Sequence, residues 1–263
     1  MKNKAGTPKV LLYDIEIVQR NLGDSWRTMG ADHSFITAFG YRWEHEKKNH
    51  VIDLHTTNSL KNLDPFNDTA DRKVVVAAHK IMSQADMSVG HYATNFDWKY
   101  MNAKFDYYGL PSLSHIPKRD TCMKARSMYK LSSKRLGNLC NFLGIPTKIG
   151  IDHKLWFSLY QGGSKATMAM KKISKYCKGD VEALFGLYQK LKPHWPAYYH
   201  TGIMSGKSQY ASCPECGSLD IIKRKPYVTA AGVAKYRMSC KACNRWFVLN
   251  RSGLLKHAKK QAR

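Results

Sequence analysis

The chain has 263 residues, with 43 Lys and Arg against 19 Asp and Glu, so its formal net charge is +24. Hydrophobic residues make up 43% of the chain and aromatic residues 11%. This composition excludes a disordered polycation, and no apolar run approaches the ~18 residues that a membrane span needs. A positive charge of this size on a folded protein favours nucleic acid as the partner over an anionic membrane surface.

The first 200 residues predict an α/β domain. Apolar and β-branched runs predict three strands, at 10–17, 34–43 and 51–56, with the polar residues 44–50 as a hairpin connection. Helical spacing and one short apolar run then predict a helix at 70–84, a strand at 86–90, a helix from 95 to 107, two helices between 121 and 144 and a long helix at 174–191. Strands followed by alternating helices and strands indicate a mixed sheet flanked by helices.

The remaining residues predict a separate small module. A Gly- and Ser-rich linker at 201–210 precedes the module at 211–250, and a basic tail follows at 251–263. Residues 208–263 hold 12 Lys and Arg but only 2 Asp and Glu. Positive charge is therefore denser here than in the first part of the chain, and the tail is either solvated or an arm that contacts a nucleic-acid backbone.

Four of the seven cysteines form two CxxC pairs, Cys213 with Cys216 and Cys240 with Cys243, with 23 residues between the pairs. This spacing favours four thiolates around one structural Zn²⁺, as in a zinc ribbon, over unrelated free thiols or a redox motif. No apolar segment typical of a secretory signal follows the basic first residues, so we expect a cytoplasmic protein with reduced thiols. A module of this size would scarcely fold without its metal.

Two carboxylates interrupt the first predicted strand. Asp14 and Glu16 are two residues apart, so they point to the same face of the strand. Burial of two adjacent like charges is costly unless a cation lies between them. A solvent-facing edge strand is the alternative, but Leu12 and Ile15 flank the acids on both faces and favour a buried strand.

Further acids stand at the start of one helix and within another. Asp97 follows Asn95 and Phe96, where helix capping is the ordinary explanation. Tyr176 and Asp180 are four residues apart on the last helix, which puts them on one face, roughly 5–6 Å apart at Cβ. Each feature alone has a common structural explanation, and it is their combination and order that are informative.

In that order, the three motifs resemble those of the DEDD superfamily, the DnaQ-like 3′→5′ exonucleases of the RNase H-like fold. They are Tyr13-Asp14-Ile15-Glu16, Asn95-Phe96-Asp97 and Tyr176-Cys177-Lys178-Gly179-Asp180. The resemblance covers about residues 8–195 and includes a middle region in which we expect Asp120 to be structural. Lys175 stands where the histidine branch has its His, so the motif is similar to that of the tyrosine branch. Ile17 and the sequence Gly90-His91-Tyr92 depart from the usual pattern without changing a metal-binding carboxylate.

The resemblance implies a two-metal nuclease. Asp14, Glu16, Asp97 and Asp180 would hold two Mg²⁺ or Mn²⁺ ions, with Asp14 between them. Tyr176 would orient the attacking water, since a phenol with its ordinary pKa of about 10 is a poor general base. The products would be nucleoside 5′-monophosphates.

The resemblance also suggests the substrate. A free exonuclease domain is similar to phage or mobile-element proteins that act on DNA, which implies a host cytoplasm, single-stranded 3′ ends, and a polymerase or other replication protein as a further partner. DNA is favoured over RNA. The alternatives are a 3′→5′ exoribonuclease and a non-catalytic nucleic-acid-binding adaptor on a nuclease fold.

Candidate substrate contacts lie in both parts of the chain. Near the middle motif, aromatic rings could stack on terminal bases, although core packing explains them equally well. In the cysteine module, basic residues interleaved with aromatic ones suit single-stranded nucleic acid, with protein docking as the alternative. The candidates are His91, Tyr92, Phe96, Trp98, Lys223, Arg224, Lys225, Arg237 and Arg245.

Overall fold

The computed structural model describes residues 8–20, 30–146, 150–152, 154–201, 203–204 and 211–254. It divides into two compact units, Lys9–Leu191 and a unit that contains the chain from Lys192 onward. The first unit ends at Leu191, whereas the predicted nuclease domain extends to residue 200. Most of the predicted linker and the end of the basic tail lie outside the described residues. Among the described helices, none is long and apolar enough to cross a membrane.

The Lys9–Leu191 unit is a mixed α/β fold. Its strands are β1 (Val10–Gln19), β2 (Ser34–Trp43), β3 (His50–Asp53), β4 (Met87–Gly90) and β5 (Lys118–Asp120). Its helices are α1 (Arg72–Met82), α2 (Asp97–Tyr107), α3 (Thr121–Met128), α4 (Leu136–Phe142), α5 (Lys154–Phe157) and α6 (Gly163–Leu191). Short 3₁₀ helices cover Leu60–Asn62 and Ser158–Gln161.

The five strands form one sheet in the order β3-β2-β1-β4-β5. β1 is antiparallel to β2 and parallel to β4, and β5 is parallel to β4. Helices α1, α2 and α6 bury apolar side chains in the core that also contains the inner residues of β1 and β2. This arrangement confirms the predicted RNase H-like α/β class and puts β1, with its two acids, in the middle of the sheet.

Three of the differences from the sequence prediction have a local reason. The third strand ends at Asp53 because its carboxylate accepts a hydrogen bond from the Thr56 amide, 2.7 Å away, which turns the chain. Helix α6 begins at Gly163 rather than at Ser174, since its early turns bury small side chains such as Ala166 and Ala169. Strand β5 has only three residues and gives no period-2 pattern in the sequence.

The second unit contains a three-stranded antiparallel sheet in the order β6-β7-β8. The strands are β6 (Ile221–Val228), β7 (Ala234–Cys240) and β8 (Trp246–Asn250). A 3₁₀ helix at Lys192–His194 precedes this sheet in the chain. A small core joins Ile221, Met238 and Leu249 to Cys213 and Cys240.

Candidate active site

The carboxylates of Asp14 and Glu16 meet on one face of β1. Together with the Cys177 thiol they form a group whose ligand atoms all lie within 4.8 Å of one another. Both acids are partly buried, whereas Leu11 and Leu12 on the same strand are fully buried. Two partly desolvated carboxylates at this separation repel each other, so a divalent cation is the natural occupant of the space between them.

Helix α6 reaches this face because β2 has no side chain at Gly40. Gly40 pairs with Asp14 across the β1–β2 ladder. A Cβ atom there would lie 2.6 Å from the Cys177 sulfur and 2.9 Å from a methyl carbon of Val181. The missing side chain therefore lets α6 approach the sheet beside Asp14. Sequence analysis missed Gly40, for which only the three-dimensional contact gives a signal.

The Cys177 thiol was also missed as a member of the site, although it belongs to the Tyr176–Asp180 motif. It is fully buried, and its sulfur lies 3.9 Å from the carbonyl oxygen of Asp14. Burial raises the pKa of this thiol well above its ordinary value, and the negative charges of Asp14, Glu16 and Asp180 raise it further. The thiol is therefore neutral at physiological pH, which leaves the carboxylates as the ionised donors of the site.

Asp97 approaches β1 from the edge that faces β4, opposite to the edge that pairs with β2. The parallel ladder between β1 and β4 ends at the Leu12–Val89 pair, so the later amides of β1 are not used by β4. The Ile15 amide donates to Asp97 Oδ1 at 3.4 Å. Asp97 is only 6% exposed, and burial raises its pKa from 3.8 to about 7, with a further upward effect from the charge of Asp120. A nearby cation would favour the ionised form of a carboxyl whose pKa is raised in this way.

Asp120 has the structural role that we expected. Its carboxylate caps α3 by accepting the amides of Cys122 and Met123 at 2.9 and 3.1 Å. It also accepts the amides of Tyr92 and Thr94 at 2.9 and 3.0 Å. These bonds hold the turn that leads into Asp97, including the left-handed backbone of Tyr92 at φ 62°. Asp120 therefore positions Asp97 without joining the carboxylate group.

Tyr176 and Asp180 lie on α6 as the spacing predicted. The Tyr176 ring is partly buried and packs edge-on against Trp156, with 5.9 Å between ring centroids. Asp180 is 5% exposed, and its charge acts on the thiol one turn away at Cys177. Among the described residues, neither Asp97 nor Asp180 belongs to a group as tight as that of Asp14, Glu16 and Cys177. The structure therefore brings the β1 pair into direct proximity and sets the other two acids around it.

The predicted substrate contacts near the middle motif fall into two environments. Both ring nitrogens of His91 are already engaged, with the Thr121 hydroxyl and the Lys134 carbonyl, each at 2.9 Å. Trp98 is 6% exposed and belongs to the core, which leaves it little surface for a base. Phe96 is partly buried and packs near Tyr100. Tyr92 is 41% exposed, with the Arg126 guanidinium 5.1 Å from its ring centroid.

The four paired cysteines of the second unit form one cluster. Their sulfur atoms lie within 4.8 Å of one another, with 3.6 Å between Cys213 and Cys243 and between Cys216 and Cys240. Burial opposes ionisation of Cys240, yet the amides of Cys243 and Ala242 lower its pKa below the ordinary thiol value. Four sulfur donors at these separations match the closed tetrahedral set of a structural zinc site.

Arg245 differs from the other basic residues of this module. It is only 4% exposed, and it donates to the carbonyl oxygens of Lys192 and Pro193 at 3.1 and 2.6 Å. It therefore fastens the chain within its own unit and offers little charge to a ligand. The predicted contacts Lys223, Arg224, Lys225 and Arg237 are all exposed.

Comparison with known proteins places the fold. Residues 28–192 match a family model of the RNase H superfamily, RNase_H_2, so the chain belongs to this superfamily. The fold is also similar to the family B DNA polymerase of the hyperthermophilic archaeon Pyrobaculum calidifontis, with a TM-score of 0.52 and 16% identity. That match covers 79% of this chain and 26% of the polymerase. No curated protein sequence matches. Membership of the superfamily supports nuclease activity, divalent metal ions and nucleic acid as the ligand.

Proposed function

We propose that the chain is a 3′→5′ exonuclease of the tyrosine branch of the DEDD group, which releases nucleoside 5′-monophosphates from single-stranded 3′ ends of DNA. One observation carries the proposal. One carboxylate oxygen of Asp14 and one of Glu16 lie within 4.8 Å of each other, and the Asp97 carboxyl accepts a hydrogen bond from the Ile15 amide between them. The motif on α6 supplies the remaining two groups of the set, Tyr176 and Asp180.

The donor set fits two divalent ions. Asp14, Glu16, Asp97 and Asp180 offer oxygen ligands, which Mg²⁺ and Mn²⁺ prefer, and the neutral thiol of Cys177 does not compete for hard cations. When bound, such ions activate the attacking water and stabilise the leaving oxygen of a phosphodiester. The four carboxylates would hold the ions, and Asp97 would bind in its deprotonated form.

Tyr176 has a positioning role in this proposal. Its ring is fixed by the edge-on contact with Trp156, so its hydroxyl has few orientations available. A hydroxyl held in this way can hydrogen-bond the attacking water and align it with the phosphorus atom. We therefore expect Tyr176→Phe to reduce the rate less than loss of Asp14 does.

We propose that the cysteine cluster holds one structural Zn²⁺ in a zinc ribbon, which fits a reducing compartment such as the cytoplasm. The module would assist in holding substrate or a partner, for instance a polymerase or another replication protein. Phage DNA metabolism is a setting that suits an exonuclease of this kind.

A Mg²⁺-dependent digestion of 5′-labelled and 3′-labelled oligonucleotides tests the function. With a 3′ label, the first product is the labelled mononucleotide, whereas a 5′ label gives a ladder of shortening fragments. Asp14→Ala should abolish cleavage and retain binding. Asp106→Ala, which removes an exposed acid on α2, is the matched control and should keep full activity.

The alternatives are separated by the same experiment. Degradation of RNA in preference to DNA would make the chain an exoribonuclease. Binding without any metal-dependent cleavage would make it an adaptor on a nuclease fold. Full activity of Asp14→Ala would contradict the assignment of the site itself.

A further inference from the structure

The sheet of the cysteine module has one buried face and one exposed face. Strand pairing of Ser239 with Trp246 and of Arg237 with Val248 puts these side chains on the side opposite to the core residue Met238. We use the name outer face for six exposed or partly exposed side chains on this side. They are Arg224, Lys225, Tyr227, Arg237, Trp246 and Val248.

The outer face combines guanidinium groups with aromatic rings. The Arg224 guanidinium lies 5.7 Å from the Trp246 ring centroid, and its Nε donates to the Ser239 hydroxyl at 2.8 Å. The Arg237 guanidinium lies 5.3 Å from the centroid of Tyr227. These contacts hold two cations beside two flat rings, and Trp246 still exposes 59% of its surface.

Among the described residues of the module, no carboxylate pairs with the guanidinium groups of the outer face. Strands β6, β7 and β8 contain no Asp or Glu. In the described part of the module, the two acids are Glu215 and Asp220, which pair with Lys192 and Lys241 at 3.1 and 3.5 Å. In the described part of the module, Arg224 and Arg237 are therefore available to an anionic ligand.

We propose that the outer face binds single-stranded DNA, with a base stacked on Trp246 and phosphates paired with Arg224 and Arg237. An exposed indole beside guanidinium groups suits an unpaired base and its phosphate, whereas a duplex keeps its bases stacked inside. A protein partner would require a larger apolar patch than one tryptophan and one valine supply. The inference rests on the proposed function for the choice of DNA as the ligand.

Fluorescence anisotropy of a labelled 12-nucleotide oligo(dT) tests this surface on the full chain. An Asp14→Asn background without added Mg²⁺ prevents digestion. Trp246→Ala should weaken binding at least about fivefold at fixed salt and leave the salt dependence unchanged, because stacking releases no counterions. Arg237→Ala should weaken binding and also reduce the slope of log Kd against log salt by about one.

The controls separate base stacking from charge and from misfolding. Val228→Ala alters a residue that is 66% exposed near the end of β6 and should leave the Kd unchanged. Inorganic polyphosphate has no bases, so Trp246→Ala should bind it as the parent does. Unchanged zinc content shows that the module of a variant is intact. If the zinc content of Trp246→Ala falls, Tyr227→Leu, which removes the other ring of the outer face, replaces it in the test.

Two results would overturn the inference. One is an oligo(dT) affinity that changes by no more than about twofold in Trp246→Ala with intact zinc content, or in Tyr227→Leu if Trp246→Ala loses its zinc. The other is an equal loss of affinity for polyphosphate. Hydrolysis of the p-nitrophenyl ester of thymidine 5′-monophosphate, a substrate without neighbouring nucleotides, reports on the nuclease site separately. If the wild type does not hydrolyse this ester but still binds DNA in a way that depends on Trp246, the proposed exonuclease activity is refuted. The inference that the outer face binds single-stranded DNA is then still supported.

Discussion

The buried carboxyl of Asp97 should make the stability of the metal-free nuclease unit depend on pH. Its pKa is about 7 in the folded state against an ordinary 3.8, so the folded chain keeps a proton that the unfolded chain releases between about pH 4 and pH 7. The free energy of unfolding should therefore fall as pH rises through this window and change no further above it. The full difference corresponds to about 4 kcal/mol.

Asp97→Asn isolates this contribution. An asparagine oxygen can still accept the Ile15 amide, but the side chain no longer titrates. We expect the wild type to lose about 3 kcal/mol relative to Asp97→Asn between pH 5 and pH 8, which is about 1.4 kcal/mol for each of the two pH steps below 7. Because burial is what raises this pKa, the variant should be the more stable protein at pH 8.

Urea denaturation at several pH values, followed by far-ultraviolet circular dichroism without added Mg²⁺, measures this difference. Asp106→Asn is the control, since Asp106 is an exposed acid on the same helix. It should shift the unfolding free energy by a similar amount at every pH. A difference between wild type and Asp97→Asn that stays constant from pH 5 to pH 8 would refute the reasoning, because Asp97 would then have an ordinary pKa.

Other predictions concern the groups that support the site and the cluster. Gly40→Ala places a Cβ 2.6 Å from a side chain of α6, so it should lower the unfolding free energy by roughly 1–3 kcal/mol and remove most of the cleavage activity. Gly137→Ala is the control, because a Cβ there has nothing within 4 Å, and it should change neither quantity. The two carboxylate oxygens of Asp120 accept five hydrogen bonds, and Asp120→Asn replaces one of these oxygens by an NH₂ donor, so it should lower the unfolding free energy by about 1–3 kcal/mol; an unchanged value would contradict its capping role. Cys240→Ser should eliminate bound zinc as measured by metal analysis, while Cys122→Ser, a change of a thiol outside the cluster, should retain it.

The sequence predicts an element and its acids well where a clear apolar pattern is interrupted only by those acids. From Val10 to Val18, β1 is apolar on both faces except at Asp14 and Glu16, so both its burial and its acids can be recognised from the chain alone. The long helix α6 also shows a clear apolar period toward its end, where Tyr176 and Asp180 lie. These positions follow from local patterns that tertiary contacts do not override.

Positions that depend on a distant contact could not be predicted in the same way. Arg245 looks like a ligand-binding cation in a basic sequence, but backbone carbonyl groups far along the chain take up its guanidinium. Trp98 follows the middle motif, yet it packs inward and has the Lys118 ammonium 4.2 Å from its ring centroid. Gly40 has no signal at all, since its effect lies in the space that it leaves for α6.

The environment of Asp97 argues against the alternative that the chain is a non-catalytic binding platform. A helix start needs only a hydrogen-bond acceptor, which Asn or Ser supplies without the cost of a buried carboxylate. Asp97 instead combines near-complete burial with the unfavourable charge of Asp120, so at neutral pH it destabilises the metal-free protein. A binding platform would lose nothing by exchanging it for Asn, whereas a metal-dependent nuclease requires the negative charge once a cation is bound. The same substitution should therefore raise stability at pH 8 and abolish cleavage, which is the pair of effects expected if Asp97 holds a cation in the active protein.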